Sequence, residues 1–448
     1  MDYAEAVNYL YSLQKHGIKL GLQNTRCICA LLHNPESDVK IIHIAGTNGK
    51  GTTAKVMQSI LTGAGYKTGL FTSPHMVRFT ERITIDGSEI SESEVVTLTG
   101  VILDALREHP DIKPTFFEFV TAMAFLYFKN TECDWVVLET GMGGRFDSTN
   151  VVTPALSIIT TIGEDHKEFL GDTIEKIAFE KAGIIKSHVP VIVSPQRPEA
   201  LEVITDACME NQSPMHLYGE NFSVKNLMTT MQGSTFNYHG RSTIKRLFAP
   251  VVGHHQAINI ICAVRAWELL RESGKINGNE YMLKESLKQI KWPGRNELNI
   301  IDNFHFLFDG AHNTDALSLL SETLWNVYLK TGNPGSPYDR VILILATMND
   351  KDWKHMLDEI VPIGDEIIFT APSYSRAEKP ESLLSECTGK FSARSFHLTE
   401  TVVEALNKAM DLYRPGSLIV VTGSFYLLGE AKEILGEKAS LRRLSESL

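Results

Sequence analysis

The chain has little cysteine, no surplus of positive charge and no long apolar run. Of its six cysteines in 448 residues, only Cys27 and Cys29 stand close together, which gives neither a disulfide framework nor the paired spacing of a zinc site. They are expected as reduced thiols of a cytoplasmic protein. A formal net charge of −11 leaves no basic surface of the kind nucleic-acid phosphates require, so a nucleic-acid partner is not expected. The most apolar stretch, 119–128, is too short to span a bilayer. The opening MDYAEAVNYLYSLQ lacks a basic region followed by an apolar core, so neither a membrane association nor a secretory signal is expected. No repeat of fixed period and no low-complexity segment is visible. With 43% hydrophobic and 22% charged residues over this length, an ordinary globular composition with two or three domains is expected.

What is present is an alternation of short apolar runs with helix-period segments, the pattern of a mostly parallel sheet covered by helices. Strands are expected at 40–45, 68–72, 135–139, 156–161 and 189–194, and helices at 55–63, 93–108, 117–129 and 173–183. Across 215–250 polar and apolar residues alternate around Gly219, Gly233 and Gly240, which predicts a small antiparallel appendage. Helix returns at 253–273. Trp292-Pro293-Gly294-Arg295, within 291–303, places a domain junction. Beyond it strands at 304–308, 340–346, 366–370 and 417–422 predict a second α/β unit. Ligands bind at the carboxyl ends of such parallel strands, and both Asp309 and Ser424 fall just after one.

The segment His43-Ile44-Ala45-Gly46-Thr47-Asn48-Gly49-Lys50-Gly51-Thr52-Thr53 follows an apolar run (Val39, Ile41, Ile42, Ile44) and precedes a helical pattern of Val56, Met57, Ile60 and Leu61. Strand, glycine loop and helix is the setting in which backbone N–H groups and a helix N-terminus hold phosphate oxygens. Lys50 would add charge toward the outer phosphates, and Thr52 or Thr53 a hydroxyl near a metal. The strict G-x-x-x-x-G-K-[ST] pattern is not met, because Ile44 stands where its first glycine would fall and Gly51 follows Lys50. A tight strand-to-helix connection is the plainer reading. A lysine directly after glycine and before hydroxyls favours phosphate, with ATP as the nucleotide.

Other residues carry chemistry with a structural alternative beside it. Glu139 ends an apolar run and opens onto Gly141, Gly143 and Gly144, where a carboxylate can bind Mg²⁺ beside phosphates or serve as a cap or loop ion pair. His166 alone reads as a hydrogen-bonded loop histidine. Lys181 falls on the apolar stripe of Ile174, Ile177, Ala178, Ala182 and Ile185. Its amine either snorkels to water or is desolvated with a lowered pKa. Arg295 can fork onto phosphate oxygens or make an interdomain ion pair. Asn313 fits the N-cap of a helix beginning near Thr314. Phe117 can stack on a flat heterocycle and Asp147 can accept two hydrogen bonds from an amino-pyrimidine edge, although Phe117 is equally suited to a helix core.

The wording GTNGKGT resembles the Mur ligase superfamily, and Gly51 after Lys50 resembles its folylpolyglutamate synthase and dihydrofolate synthase branch. The resemblance continues through TSPHMVRFTERI from Thr72, FFEFVTAMAF from Phe116, ETGMGGRFDSTNVV from Glu139 and GEDHKEFLGDTIEKIAFEKAGIIK from Gly163. It runs on through GHHQAIN from Gly253, WPGRNELN from Trp292, FDGAHN from Phe308 and TGSFYLLGE from Thr422, so it spans nearly the whole chain.

The resemblance implies an α/β protein: a P-loop parallel-sheet N-terminal ATPase domain with a small β appendage over 1–296, and a smaller Rossmann-like glutamate ligase domain over 297–448. It gives ATP the residues Gly46, Thr47, Asn48, Gly49, Lys50, Gly51 and Thr52, with Asn259, Arg295 and Asp309, so that both domains would contact the nucleotide. Of two Mg²⁺ ions, one would be held by Ser73, Glu139 and His166 and the second by a carbamate on Lys181; Lys50, Lys181 and His166 would be catalytic. The substrate side takes Thr115, Phe117, Glu118, Phe146, Asp147 and Ser148, with His312 and Ser424 beyond the junction. Ser148 departs from the alanine expected of bifunctional members. The implied reaction transfers the γ-phosphate to an acceptor carboxylate, after which the amine of L-glutamate displaces phosphate. Dihydropteroate and tetrahydrofolate polyglutamates are the implied acceptors, and a monomer is expected. The alternatives are a ligase adding an amino acid to a UDP-linked cell-wall precursor and a nucleotide-dependent switch or motor. A dinucleotide oxidoreductase lacks its G-x-G-x-x-G turn.

Overall fold

A computed structural model describes residues 1–17 and 21–436. By contact the chain forms two units, one of residues 1–226, 236–249 and 258–290, the other of 227–235, 250–257 and 291–448.

The first unit is built on an eight-stranded sheet. Its strands in chain order are β1 (Lys40–Ala45), β2 (Thr68–Phe71), β3 (Ile83–Ile85), β4 (Ser88–Glu89), β5 (Trp135–Glu139), β6 (Leu156–Ile159), β7 (Val191–Val193) and β8 (Met215–Leu217). They lie in the order β4-β3-β2-β5-β1-β6-β7-β8. From β2 to β8 all pairings are parallel, while β3 and β4 are added antiparallel at one edge. β1 is buried after its first residue and β5 is buried throughout, as expected of parallel strands covered on both faces. One face carries a core that includes Phe71, Phe119, Phe125, Phe128 and Leu138. The other is closed by Ile159, Ile174, Ile177, Ala178, Ile184 and Ile204. Because β5 lies between β2 and β1, and β6 lies on the far side of β1, the order reverses about β1. That is the switch point at which α/β sheets take ligands.

Beside the strands β3 and β4, which the sequence did not mark, two expected elements of this unit and its appendage lie elsewhere than predicted. Met215–Leu217 belongs to the large sheet, parallel to β7, so the appendage begins later, with β9 (Ser223–Thr230), β10 (Gly233–His239) and β11 (Thr243–Ala249). These make an antiparallel three-stranded sheet in the order β11-β10-β9. The helix expected at 55–63 starts at Lys50. Gly51, Thr52 and Thr53 are poor helix formers, but the left-handed Gly49 sets the first turn before them.

The second unit holds a six-stranded sheet of β12 (Glu297–Ile301), β13 (Phe304–Phe308), β14 (Arg340–Leu345), β15 (Glu366–Phe369), β16 (Ser395–Leu398) and β17 (Ser417–Thr422). Their order is β12-β13-β17-β14-β15-β16. Only β12 is antiparallel to its neighbour. Among the described residues no helix is long and apolar enough to cross a membrane.

Candidate active site

β1 delivers the chain to Gly46 at φ +145°, where a Cβ would stand 1.9 Å from Thr160 Oγ1. Gly49, at φ +96°, would place a Cβ 2.2 Å from Asn259 Oδ1. Both positions therefore need glycine, for backbone conformation and for space. The Thr47 and Asn48 amides both donate to the Thr161 carbonyl, at 3.0 and 3.1 Å. The Thr47 hydroxyl donates to the Gly163 carbonyl at 3.0 Å and accepts from the Gly163 amide at 3.1 Å. The loop is thus strapped to the segment after β6. These bonds turn the Thr47 and Asn48 amides to Thr161, which leaves the first-turn amides of the Lys50–Gly63 helix as the donors its N-terminus offers. Lys50 Nζ donates to the Thr47 carbonyl at 3.1 Å, keeping its charge over the loop. Asn259, remote in sequence, is buried beside Gly49 and its carbonyl accepts from the Thr53 hydroxyl at 3.3 Å.

Gly49→Ala should damage this loop more than the fold. Forcing a Cβ into the left-handed turn against Asn259 costs about 1–3 kcal/mol, and the KM for ATP should rise by roughly tenfold or more. Steady-state kinetics at varied ATP would check it; an unchanged KM would show that the turn tolerates a side chain.

Lys181 settles the question its apolar stripe raised. It is 4% exposed, and its amine turns inward to donate to the Gly46 carbonyl at 2.8 Å. The snorkelling alternative is excluded: the lysine braces the glycine loop from the neighbouring helix, Ile174–Ala182.

Glu139 is the last residue of β5, paired in register with Ile44, and 5% exposed. Its Oε2 accepts from the Ser73 amide at 3.2 Å, so this carboxylate and the Ser73 loop stand together. His166 begins a short helix at φ +51°. Its amide donates to Asp165 Oδ1 at 2.8 Å, and its Nε2 stands 3.8 Å from Asp165 Oδ2. No group of three His, Cys, Asp or Glu side chains among the described residues is arranged to hold a metal. A buried carboxylate at a strand end beside a serine suits a hard cation that keeps several waters, as Mg²⁺ does.

The expected acceptor residues are largely engaged in shaping their own loops. Thr115 caps the helix Phe116–Asn130 in a reciprocal box with Glu118, whose Oε2 accepts from the Thr115 amide at 2.6 Å and from Asn24 Nδ2 at 3.2 Å. The T-x-x-E spacing is a capping signature that the sequence displays openly. Phe117 lies 5.7 Å from the Phe71 ring, and a Cβ on Gly141 would meet its Cζ at 2.5 Å. Asp147 is buried. Its Oδ2 accepts from the Met142 amide at 2.8 Å, and its Oδ1 from the Thr149 amide and hydroxyl at 3.0 and 2.5 Å. The Gly141 amide also faces it, and burial raises its pKa against these hydrogen bonds. A carboxylate offers about four acceptor positions, so reading a heterocycle edge requires Asp147 to exchange partners it already has. Phe146 is partly exposed under the Arg145 guanidinium, which lies 4.3 Å from that ring and 4.7 Å from Phe179. Arg145 is held in turn by Glu180 at 2.5 Å. Ser148 is buried at the start of the turn Ser148–Val151.

A cluster that the sequence reading passed over lies in the TSPH block. Arg82 Nε donates to His75 Nδ1 at 2.7 Å, and His75 Nε2 meets the Tyr11 hydroxyl at 3.1 Å. Burial and the Arg82 charge bring the His75 pKa down to about 3, which keeps the ring neutral. Arg82 also lies 5.1 Å from the Phe116 ring. The only sequence signal was a histidine and an arginine in one quoted block, with the tyrosine far upstream.

In the second unit Asp309 follows β13 and is buried. Its oxygens accept from the Asn296 and Ala311 amides at 2.8 and 2.9 Å. Burial raises its pKa while Arg295 opposes the rise. The Arg295 guanidinium lies 4.6 Å from the Phe425 ring. His312 Nδ1 donates to the Gly310 carbonyl at 2.8 Å, and its ring stands 5.4 Å from Phe425. Asn313 caps the helix Thr314–Thr323 as expected. Ser424 caps Phe425–Leu435, accepting from the Leu427 amide at 3.1 Å. Arg295, Asp309 and His312 therefore gather around Phe425 and the end of β13.

A glycine loop thus opens a helix at the switch point of one α/β sheet, and a second α/β unit follows it in the chain. The family models for the Mur ligase middle domain and for the Mur ligase glutamate ligase domain match residues 44–267 and 294–425. The chain is 32% identical to the dihydrofolate synthase/folylpolyglutamate synthase of Bacillus subtilis, over 97% of this chain and 99% of that one. Among solved structures, folylpolyglutamate synthase of Mycobacterium tuberculosis complexed with ADP and AMPPCP superposes with a TM-score of 0.89 at 27% identity, covering 98% of this chain and 100% of that one. Escherichia coli FolC in complex with DHPP and ADP gives 0.85 at 28%, covering 97% and 98%. The chain belongs to the folylpolyglutamate synthase/dihydrofolate synthase family of the Mur ligases. It is an ATP-dependent glutamate ligase of that type.

Proposed function

We propose that this ligase joins L-glutamate to both tetrahydrofolate polyglutamates and dihydropteroate, in the cytoplasm, through an acyl phosphate. The observation that carries the reading is the packing of the 141–149 loop. A Cβ on Gly144 would stand 2.8 Å from the Glu180 and Lys181 carbonyls, and Gly141 lies against Phe117. Lys181 itself reaches Gly46. The acceptor loop and the phosphate loop thus share one brace, which supports an acceptor carboxylate brought up to a γ-phosphate. In this reading residues 1–296 carry nucleotide and acceptor chemistry and 297–448 supply glutamate contacts, with Arg295 and Asp309 assigned to the nucleotide and His312 and Ser424 to substrate.

An acceptor carboxylate oxygen attacks the γ-phosphorus and ADP leaves. The glutamate nitrogen then attacks the acyl carbon, a proton leaves that nitrogen, and inorganic phosphate departs with its C–O bond broken. Lys50 offsets charge on the phosphoryl oxygens. Phe117 offers a ring face to the pterin. Glu139 and Ser73, with His166, would hold Mg²⁺, which when bound would supply further charge compensation. Lys181 is proposed to carry a carbamate, formed by its neutral amine and CO₂ with loss of one proton. The carbamate nitrogen keeps an N–H, so the bond to Gly46 can persist.

ADP release should occur with glutamate and either tetrahydrofolate or dihydropteroate, and not with a UDP-linked muramic acid. Ser148→Ala should raise turnover of dihydropteroate relative to tetrahydrofolate, since a buried hydroxyl is removed beside the proposed pterin position. Activity with tetrahydrofolate alone, before and after the substitution, would limit the chain to polyglutamylation. Activity with the muramic acid alone would overturn the folate assignment.

A further inference from the structure

One buried histidine in the first unit, linked to Asp147 through Thr149, has no role described so far. His43, in the middle of β1, is 0% exposed and lies in register between Leu138 of β5 and Ser157 of β6. Its Nε2 stands 2.8 Å from the Thr149 hydroxyl oxygen, and that oxygen stands 2.5 Å from Asp147 Oδ1. Its Nδ1 is buried with no hydrogen-bond partner.

The direction of this chain follows from donor counting. An ionised Asp147 only accepts, so the single Thr149 hydroxyl proton goes to Asp147, and His43 must donate Nε2–H to Thr149. Reversing the chain would need a proton on Asp147 and would leave a buried Nδ1–H with no acceptor. Burial and the charge of Lys186 bring the His43 pKa down to about 3, which keeps the ring neutral. An unpartnered ring nitrogen among the otherwise apolar buried residues of β1 is a stability defect, and a leucine would remove it. What the histidine supplies in return is the other nitrogen, reaching Asp147 through one hydroxyl.

We propose that His43 is a positioning residue for the acceptor: acting through Thr149, its Nε2–H fixes the orientation of Asp147 and of the 141–149 loop. The inference rests on the reading that this loop faces the pterin-bearing acceptor. Because His43 also stands on the strand that leads into Gly46, an effect confined to the acceptor separates loop positioning from general damage to the phosphate loop.

The test compares His43→Leu and Thr149→Val, which cut the chain, with His43→Gln and Thr149→Ser, which keep a donor and a hydroxyl. His43→Leu should raise the KM for tetrahydrofolate or dihydropteroate by roughly tenfold. The KM for ATP should stay within about twofold, and thermal melting should be no lower than wild type because the orphaned nitrogen is gone. Thr149→Val should shift the acceptor KM in the same way, and the two conservative variants should recover most of the loss. An unchanged acceptor KM in His43→Leu, an equal rise in the KM for ATP, or a His43→Gln as impaired as His43→Leu would each overturn the inference. A nitrogen-15 spectrum of histidine-labelled protein, with the His43 signal identified by its loss in His43→Gln, should show the neutral Nε2–H tautomer; the Nδ1–H form would overturn the inference too. If wild type turns over neither folate, that failure falls on the acceptor assignment, and the tautomer decides the chain.

Discussion

Lys50→Ala should lower kcat by about a thousandfold, the scale at which a single charge-stabilising group acts on a developing transition state. The fold should survive, because Lys50 gives the native state one hydrogen bond, to Thr47, worth about 1 kcal/mol. Its place at the first position of a helix that opens from a left-handed glycine directs its charge to the glycine loop and not to the core. ADP release measured beside thermal melting separates the two effects. Turnover within a few-fold of wild type, with ATP affinity unchanged, would remove Lys50 from the mechanism.

Lys181→Ala should cost stability as well as turnover. The substitution empties a buried site and leaves the Gly46 carbonyl without its lysine donor, so stability should fall by about 2–4 kcal/mol. Turnover should fall by at least about a hundredfold as the phosphate loop loses its brace. The carbamate has its own readout. Protein equilibrated with carbon-13-labelled CO₂ should show one carbamate resonance that disappears in Lys181→Met, and stripping CO₂ should slow turnover reversibly. A short carboxylic acid that fits the vacated space should partly restore Lys181→Ala. A full rate without CO₂ and no labelled resonance would leave Lys181 as a plain structural amine.

The parallel strands were legible because burial on both faces writes continuous apolar runs, as in 135–139 and 417–422. The lysine stripe was legible because helical spacing put one charged residue among isoleucines and alanines. Edge elements were not: Ser88–Glu89, Met215–Leu217 and Ser395–Leu398 are short and mixed, and only their neighbours define them as strands. Within the site, sequence could nominate Asp147 and Thr115 but could not show that both already spend their hydrogen bonds locally, since that depends on which amides the fold brings within reach. Asn259 came only from resemblance, because nothing in its own helix points to a glycine far upstream. The histidine on β1 was hidden in plain view, one residue in a strand whose other buried members are apolar.

The division of the chain into units has a consequence for synthesis on the ribosome. Residues 258–290 belong to the first unit although 227–235 and 250–257 belong to the second. Translation therefore delivers two pieces of the later unit before the earlier one is complete. Asn259, which sits against Gly49, emerges long after the glycine loop it packs on, so that loop reaches its final surroundings only once some two hundred further residues have been made. The two short early pieces must wait still longer, for a sheet whose last strand ends at Thr422.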